Sequence, residues 1–150
     1  MAHRFHRGGR LLVFGTGLSA ADAAHVVVEF VHPVIIGKRA LPALALPGAA
    51  AGFAAELELF GGHRDIALAI AADGGDDGLA DALTVARDRG MLTVALLGQT
   101  DGPVSRLSGL DHVLTVRSPD PRVVREGHVT TYHVLWELVH VFLDAPEVFQ

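Results

Sequence analysis

The 150-residue sequence contains no cysteine, which excludes disulfide bonds and metal sites built from thiolates. It also lacks a long apolar run. Although 50% of the residues are hydrophobic, no uncharged stretch approaches the roughly 18 residues that a membrane-spanning helix needs. The best candidate, residues 25–36, is broken by Glu29, His32 and Pro33. We therefore expect one ordinary domain in the cytoplasm, without a membrane as partner.

Clustered basic residues are also scarce. The net charge is −5 at pH 7, and the one local basic run is the N-terminal MAHRFHRGGR. Because binding to nucleic acid needs a clustered basic face, no nucleic acid is expected as partner. Residues 1–9 are predicted to form a flexible N-terminal arm, and residues 10–145 a single domain.

The apolar residues fall into short runs that alternate with amphipathic stretches. Such runs are typical of parallel strands covered by helices on both faces. The pattern predicts an α/β fold with three layers, in which a doubly wound sheet has five parallel strands in the order 2-1-3-4-5. The predicted strands are 11–14, 41–46, 66–71, 92–97 and 112–116, and the predicted helices are 19–30, 53–60, 79–89, 104–110 and 121–143.

A glycine-rich turn connects the first strand to the first long helix. Residues 15–20, GTGLSA, match the GxGxxA pattern of dinucleotide-binding proteins. That pattern needs an acidic residue near the end of the second strand, whereas residues 45–48 read ALPG, so no nicotinamide cofactor is expected. Either the turn only allows close packing, or its amides and Ser19, the expected N-cap, bind an anion.

The following helix carries His25 and Glu29 four residues apart. This spacing puts both side chains on one face, as a divalent metal or an acid–base pair requires. A hydrogen-bonded surface or interface pair is the commoner explanation of such a spacing. The intervening valines make the helix apolar, so the pair is not merely solvated. On the residues alone, both interpretations stay open.

The last helix is also rich in titratable side chains. Its apolar residues define a core face, and we interpret His128 and His140 as core or interface histidines. Glu126, His133 and His140 are separated by seven residues and therefore share one stripe of the helix.

Three segments of the chain, in order, carry the motifs of one known family. Residues 15–29, GTGLSAADAAHVVVE, and residues 125–138, REGHVTTYHVLWEL, are similar to GNGGSxxDAxHxxxE and QExHxxxxHxLxEL, the motifs of phosphoheptose isomerases in the SIS (sugar isomerase) family. Residues 86–121 resemble the region of the fourth and fifth strands. The resemblance implies the five-stranded fold predicted above, usually assembled as a homodimer or homotetramer.

The resemblance also implies an activity, the interconversion of an aldose and a ketose such as sedoheptulose 7-phosphate. Glu29 would be the catalytic base and His133 the complementary acid, and both, together with His25, could hold a divalent metal such as zinc. The positions implied to contact the substrate are Gly15, Gly17, Ser19, Asp73, Asp76 and Arg125.

Two departures from the family pattern bear on this activity. The phosphate-holding STSGNS loop of the family aligns with residues 71–76, AADGGD, where carboxylates replace hydroxyls. Arg125 stands where the family has a glutamine that accompanies zinc, and an arginine has no lone pair for a metal. We expect Arg125 to pair with a carboxylate, Glu29 or Asp73.

Two functions therefore stay open on the sequence. The first is a sugar-phosphate isomerase whose activity is altered or lost. The second is a non-catalytic accessory or regulatory protein that binds a ligand or a metal in the same pocket. The expected partner is accordingly a small sugar derivative or another protein.

Overall fold

A five-stranded, all-parallel sheet forms the centre of the protein in its computed structural model, which describes residues 1–48, 52–98, 101–145 and 147. The strand order is β2-β1-β3-β4-β5, as predicted. Strands β1 to β5 are Leu11–Gly15, Ala43–Ala45, Ile66–Ala71, Leu92–Leu97 and His112–Thr115, and helices α1 to α5 are Ala2–His6, Leu18–Val31, Gly52–Phe60, Asp77–Asp88 and Pro121–Leu143, with a 3₁₀ turn at Val104–Arg106.

Helices cover both faces of the three central strands, which explains why β1, β3 and β4 are almost entirely apolar. Every residue of β1 and β3 is buried. Because successive side chains of a strand point to opposite faces, Leu12 and Phe14 pack towards α3 and α4, whereas Leu11 and Val13 pack towards α1, α2 and α5. The face that carries α2 and α5 is the one on which the candidate site lies.

The N-terminal residues form a packed helix, in contrast to the flexible arm that the sequence suggested. Phe5 is only 3% exposed, and its ring stacks on that of Phe30 at a centroid distance of 5.7 Å. The guanidinium of Arg4 donates hydrogen bonds to the carbonyl oxygens of His63 and Gly90. The burial of Phe5 therefore holds the segment against the core. The prediction missed this contact because Phe5 lies among basic residues in the sequence.

The start of α2 also differs from the prediction. Its N-cap is Gly17, with φ of 57°, and no side chain caps the helix, so the expected cap by Ser19 is wrong. Ser19 lies inside the first turn and is buried. A Cβ at Gly15 would lie 2.7 Å from the carbonyl oxygen of Ile70 and 2.9 Å from the Cβ of Ser19, so the turn is too tight for a side chain at that position.

Apolar side chains also remain on the outer surface of α5. Val134, Leu138, Val141 and Phe142 are each between 45% and 51% exposed. The homodimer or homotetramer expected from the family resemblance stays a prediction.

Among the described residues, no helix combines the length and the apolar character needed to cross a membrane.

We expect Phe5→Ala to lower the free energy of unfolding by about 3 kcal/mol, because it removes a buried ring and leaves a cavity against Phe30. Urea denaturation measures this loss. Ile36→Ala, at a fully exposed apolar position, is the control and should change stability by less than about 0.5 kcal/mol. Equal, small effects of both substitutions would show that the N-terminal segment does not contribute to the core.

Candidate active site

The candidate site lies between α2 and α5, which pack side by side on one face of the sheet. Buried residues of both helices join the same core cluster, among them Val26 and Phe30 from α2 and Tyr132 and Trp136 from α5. Helix α5 begins after Asp120, whose carboxylate accepts a hydrogen bond from the backbone amide of Arg122. Packing and capping together determine which turn of α5 faces α2.

The structure brings together the three residues that the sequence suggested as a metal or acid–base set. Oε1 of Glu29 lies 3.1 Å from Nε2 of His25 and 3.7 Å from Nε2 of His133. The two imidazole rings are 5.4 Å apart. The side chain of Glu29 is 15% exposed, against 44% for His25 and 40% for His133. The carboxylate is therefore largely shielded from water and flanked by two accessible imidazoles.

Each imidazole has a second contact on its far side. Nδ1–H of His133 donates a hydrogen bond of 2.7 Å to the carbonyl oxygen of Val129. Nδ1 of His25 lies 2.7 Å from the hydroxyl of Tyr132. Burial, together with the negative charge of Asp22, raises the pKa of Tyr132 to about 12, so the phenol keeps its proton at neutral pH.

Arg125 reaches α2 through an ion pair with Asp22. Its Nε and one terminal nitrogen both lie 3.0 Å from Oδ1 of Asp22. The expectation that Arg125 pairs with Glu29 or Asp73 is therefore wrong. Asp22 lies one turn before His25 and is 4% exposed. Beside this ion pair lies a cleft of about 570 Å³, lined by Asp22, His25, Arg122, Arg125, Glu126, Val129 and Thr130.

Proteins similar to this chain identify its family. It is 35% identical over 158 residues to the phosphoheptose isomerase of Pelobacter propionicus, an alignment that covers 97% of this chain and 82% of the relative. The corresponding enzyme of Geobacter metallireducens is 36% identical over 145 residues, which cover 88% of this chain and 76% of that enzyme. The chain belongs to the phosphoheptose isomerase family.

The fold agrees with this assignment. A solved phosphoheptose isomerase from Francisella tularensis matches with a TM-score of 0.84 at 27% identity, over 93% of this chain and 81% of that one. A scan against protein-family models gave no match. Membership of the phosphoheptose isomerase family therefore rests on whole-chain similarity and on the shared sheet topology.

The carboxylates of the loop at residues 72–78, which follows β3, bind backbone amides of the loop itself and of the helix after it. Oδ1 of Asp73 accepts a hydrogen bond of 2.9 Å from the amide of Gly75. Oδ1 of Asp76 accepts one of 2.9 Å from the amide of Leu79 and so caps α4. A contact of either residue with substrate stays a prediction.

The glycine turn lies next to this loop. Strands β1 and β3 pair in parallel, with Gly15 opposite Ile70, so the segments that follow them emerge at the same edge of the sheet. Gly17 and Ser19 belong to the first of these segments. This edge is where ligands bind in doubly wound sheets. The predicted substrate contacts of both segments are therefore neighbours in the fold.

The donor set of the site fits a divalent metal. His25, Glu29 and His133 each offer one ligand atom, and these atoms lie within 4.8 Å of one another. Arg125, at the position of the family glutamine, supplies no lone pair and is bound to Asp22. Two imidazoles and one carboxylate with a fourth position for water or substrate is the arrangement of catalytic zinc sites.

Asp22 and Tyr132 also belong to the site, although neither was among the residues predicted from the sequence. No role in the site was predicted for Asp22, and Tyr132 occupies a variable position of the family motif. Helical spacing carries a signal for both, because Asp22, His25 and Glu29 share one face of α2, as Arg125 and Tyr132 do on α5. The buried positions predicted for His128 and His140 are confirmed, at 2% and 1% exposure.

We expect Arg125→Met to destabilise the protein by about 1–3 kcal/mol, because it leaves the buried carboxylate of Asp22 without its guanidinium partner. Asp22→Asn should cost less, since the half-exposed Arg125 that remains can be solvated. Chemical denaturation of both variants and of the double variant measures the coupling between the two residues. A larger loss for Asp22→Asn would contradict the proposed asymmetry of the pair.

Proposed function

We propose that the protein catalyses the interconversion of an aldose and a ketose, on a phosphorylated sugar. The single observation that supports this proposal best is the shielded carboxylate of Glu29 between the imidazoles of His25 and His133. It provides a base and an acid that face each other next to His25, which lines the cleft. Family membership supports the same reaction class.

In the proposed reaction, Glu29 removes the proton from the carbon next to the carbonyl group of the open-chain sugar. Nε2–H of a protonated His133 donates to the carbonyl oxygen, while the electron pair of the broken C–H bond forms the carbon–carbon double bond of an enediol. Glu29 then returns its proton to the former carbonyl carbon, and His133 takes the proton of the neighbouring hydroxyl. The protein ends in its starting state, and the sugar has exchanged its carbonyl position.

The residues around this pair position it. The Nε2 side of His25 holds one oxygen of Glu29, and the carbonyl of Val129 fixes the His133 ring with Nε2 towards the carboxylate. In an alternative state, His25, Glu29 and His133 would hold a divalent metal such as zinc, which would supply a Lewis acid towards the sugar carbonyl in place of the Nε2–H donor of His133. Arg125 stays paired with Asp22, and both residues line the cleft beside His25.

A second candidate function is the binding of a metal or ligand without catalysis, as in an accessory or regulatory protein. The loop at residues 72–78 favours it, because this loop carries no hydroxyl side chain and its Asp73 and Asp76 carboxylates are engaged by backbone amides. Such a loop cannot hold a phosphate through serine and threonine side chains. This candidate retains the His25, Glu29 and His133 set but assigns it no proton transfer.

An isomerase assay on sedoheptulose 7-phosphate tests the catalytic proposal. Glu29→Gln keeps the size and one acceptor of the side chain but removes the base, so kcat should fall by at least about 100-fold. Glu58→Gln, the same change on the exposed surface of α3, is the matched control and should retain full activity. Absence of turnover by the unmodified protein on aldose and ketose phosphates would overturn the proposal.

Metal analysis of protein purified without a tag tests the ligand set in both candidate functions. We expect about one divalent metal per chain, and its loss in His25→Ala, because one of three ligands is removed. His112→Ala, which removes an exposed histidine on β5, should leave the metal content unchanged. Bound metal with no turnover would favour the non-catalytic function, whereas equal metal content in both variants would contradict the ligand set.

A further inference from the structure

We propose that Tyr132 is a positioning residue that holds the His25 imidazole through Nδ1, as donor or as acceptor, while Nε2 faces the site. Its hydroxyl lies 2.7 Å from Nδ1 of His25, and the opposite nitrogen, Nε2, lies 3.1 Å from Oε1 of Glu29. The inference rests on the proposed function in one respect, since it assigns a role to Tyr132 within the same His25, Glu29 and His133 set. Tyr132 stands at a position that the family motif leaves variable.

The hydrogen-bonding capacities of the three groups determine the tautomer. A neutral imidazole has one N–H and one lone pair, and an ionised carboxylate only accepts hydrogen bonds. Nε2 of His25 must therefore carry the proton that is donated to Glu29, which leaves the lone pair on Nδ1. The Tyr132 hydroxyl then donates its own proton to Nδ1. In the metal-free protein, His25 is thus a donor towards the reacting side of the site.

His133 has the opposite tautomer in the same site. Its Nδ1 faces the carbonyl oxygen of Val129, and a carbonyl can only accept, so Nδ1 carries the proton. Nε2 of the neutral ring consequently presents a lone pair towards Glu29 at 3.7 Å. The backbone fixes this tautomer permanently. A hydroxyl, in contrast, can donate or accept, so the tautomer of His25 can be reversed.

The position of the hydroxyl is well defined because the rest of Tyr132 is in the core. The residue is 1% exposed, and its ring packs against His133 at 4.9 Å and against His25 at 5.5 Å, both between ring centroids. Tyr132 also belongs to the buried cluster under α2 and α5. The hydroxyl of Tyr132 is therefore held in one position, and the imidazole of His25 must orient towards it.

A consequence concerns the binding of a cation. When Nε2 of His25 is used as a ligand, its proton must be on Nδ1, and the Tyr132 oxygen must then accept a hydrogen bond from Nδ1–H. Partners of this kind orient a metal-binding histidine, and their loss typically weakens metal affinity by about 10–100-fold. Tyrosine can serve both states of His25, and phenylalanine can serve neither.

The first measurement uses the metal-free, full-length protein with ¹⁵N-labelled histidine at about pH 8.5, where neutral imidazole dominates. Long-range ¹H–¹⁵N spectra should show the Nε2–H tautomer for His25 and the Nδ1–H tautomer for His133. In Tyr132→Phe, the ¹⁵N shift of Nδ1 of His25 should move, because its lone pair loses the hydrogen bond from the phenol, while the shifts of His133 stay unchanged. An Nδ1–H tautomer of His25 in the unmodified protein, or unchanged shifts in the variant, would overturn the proposal.

The second measurement is zinc affinity by chelator competition, with Tyr132→Phe expected to bind about 10–100-fold more weakly. Thr131→Val is the matched control, because it removes a hydroxyl of the same helix that bonds to the carbonyl of Gly127 outside the site. Equal affinities of Tyr132→Phe and the unmodified protein would contradict the second role of the hydroxyl. The NMR result does not depend on turnover, so failure of the isomerase assay and failure of this inference are distinguishable.

Discussion

The packing of α5 against α2 is the constraint on which the candidate site depends. Glu29 and His133, His25 and Tyr132, and Asp22 and Arg125 are three pairs of contacts, and each pair joins one helix to the other. The sheet below fixes both helices through buried apolar side chains. Hydrophobic burial therefore supplies the rigidity, and the polar contacts above it receive their geometry from that packing.

Charge is distributed over this helix pair in an ordered way. Two carboxylates of α2, Asp22 and Glu29, face a guanidinium and an imidazole of α5. Arg125 neutralises the deeper carboxylate, and the other is left between two titratable rings. The pairing of Arg125 with Asp22 rather than with Glu29 leaves the Glu29 carboxylate without a guanidinium partner, as its proposed role as a base requires.

Much of the fold follows from local sequence patterns. Continuous apolar runs identified β3 and β4 with their full bounds, and the helical period identified α5 from Pro121 to Leu143. The spacing of His25 and Glu29 on one helix face was likewise local information. Placing His133 beside them required the family resemblance, because no periodicity relates residues of two different helices.

The features that the sequence did not predict are tertiary ones. Phe5 is buried because Phe30 offers it a surface, and nothing within the basic N-terminal segment signals this contact. The partner of Arg125 depends on how far α5 is shifted along α2. A pattern in the sequence does not contain this information. Tyr132 resembles any core aromatic until the position of its hydroxyl is known.

The arrangement of α5 has a mechanical consequence. One continuous helix, α5, carries Arg125, Tyr132 and His133. A movement of α5 relative to α2 would therefore displace all three side chains together. A slide of α5 by the rise of one residue, about 1.5 Å, would disturb all three pairs of contacts together. The Asp22–Arg125 ion pair and the contact between Glu29 and His133 are consequently gained or lost together.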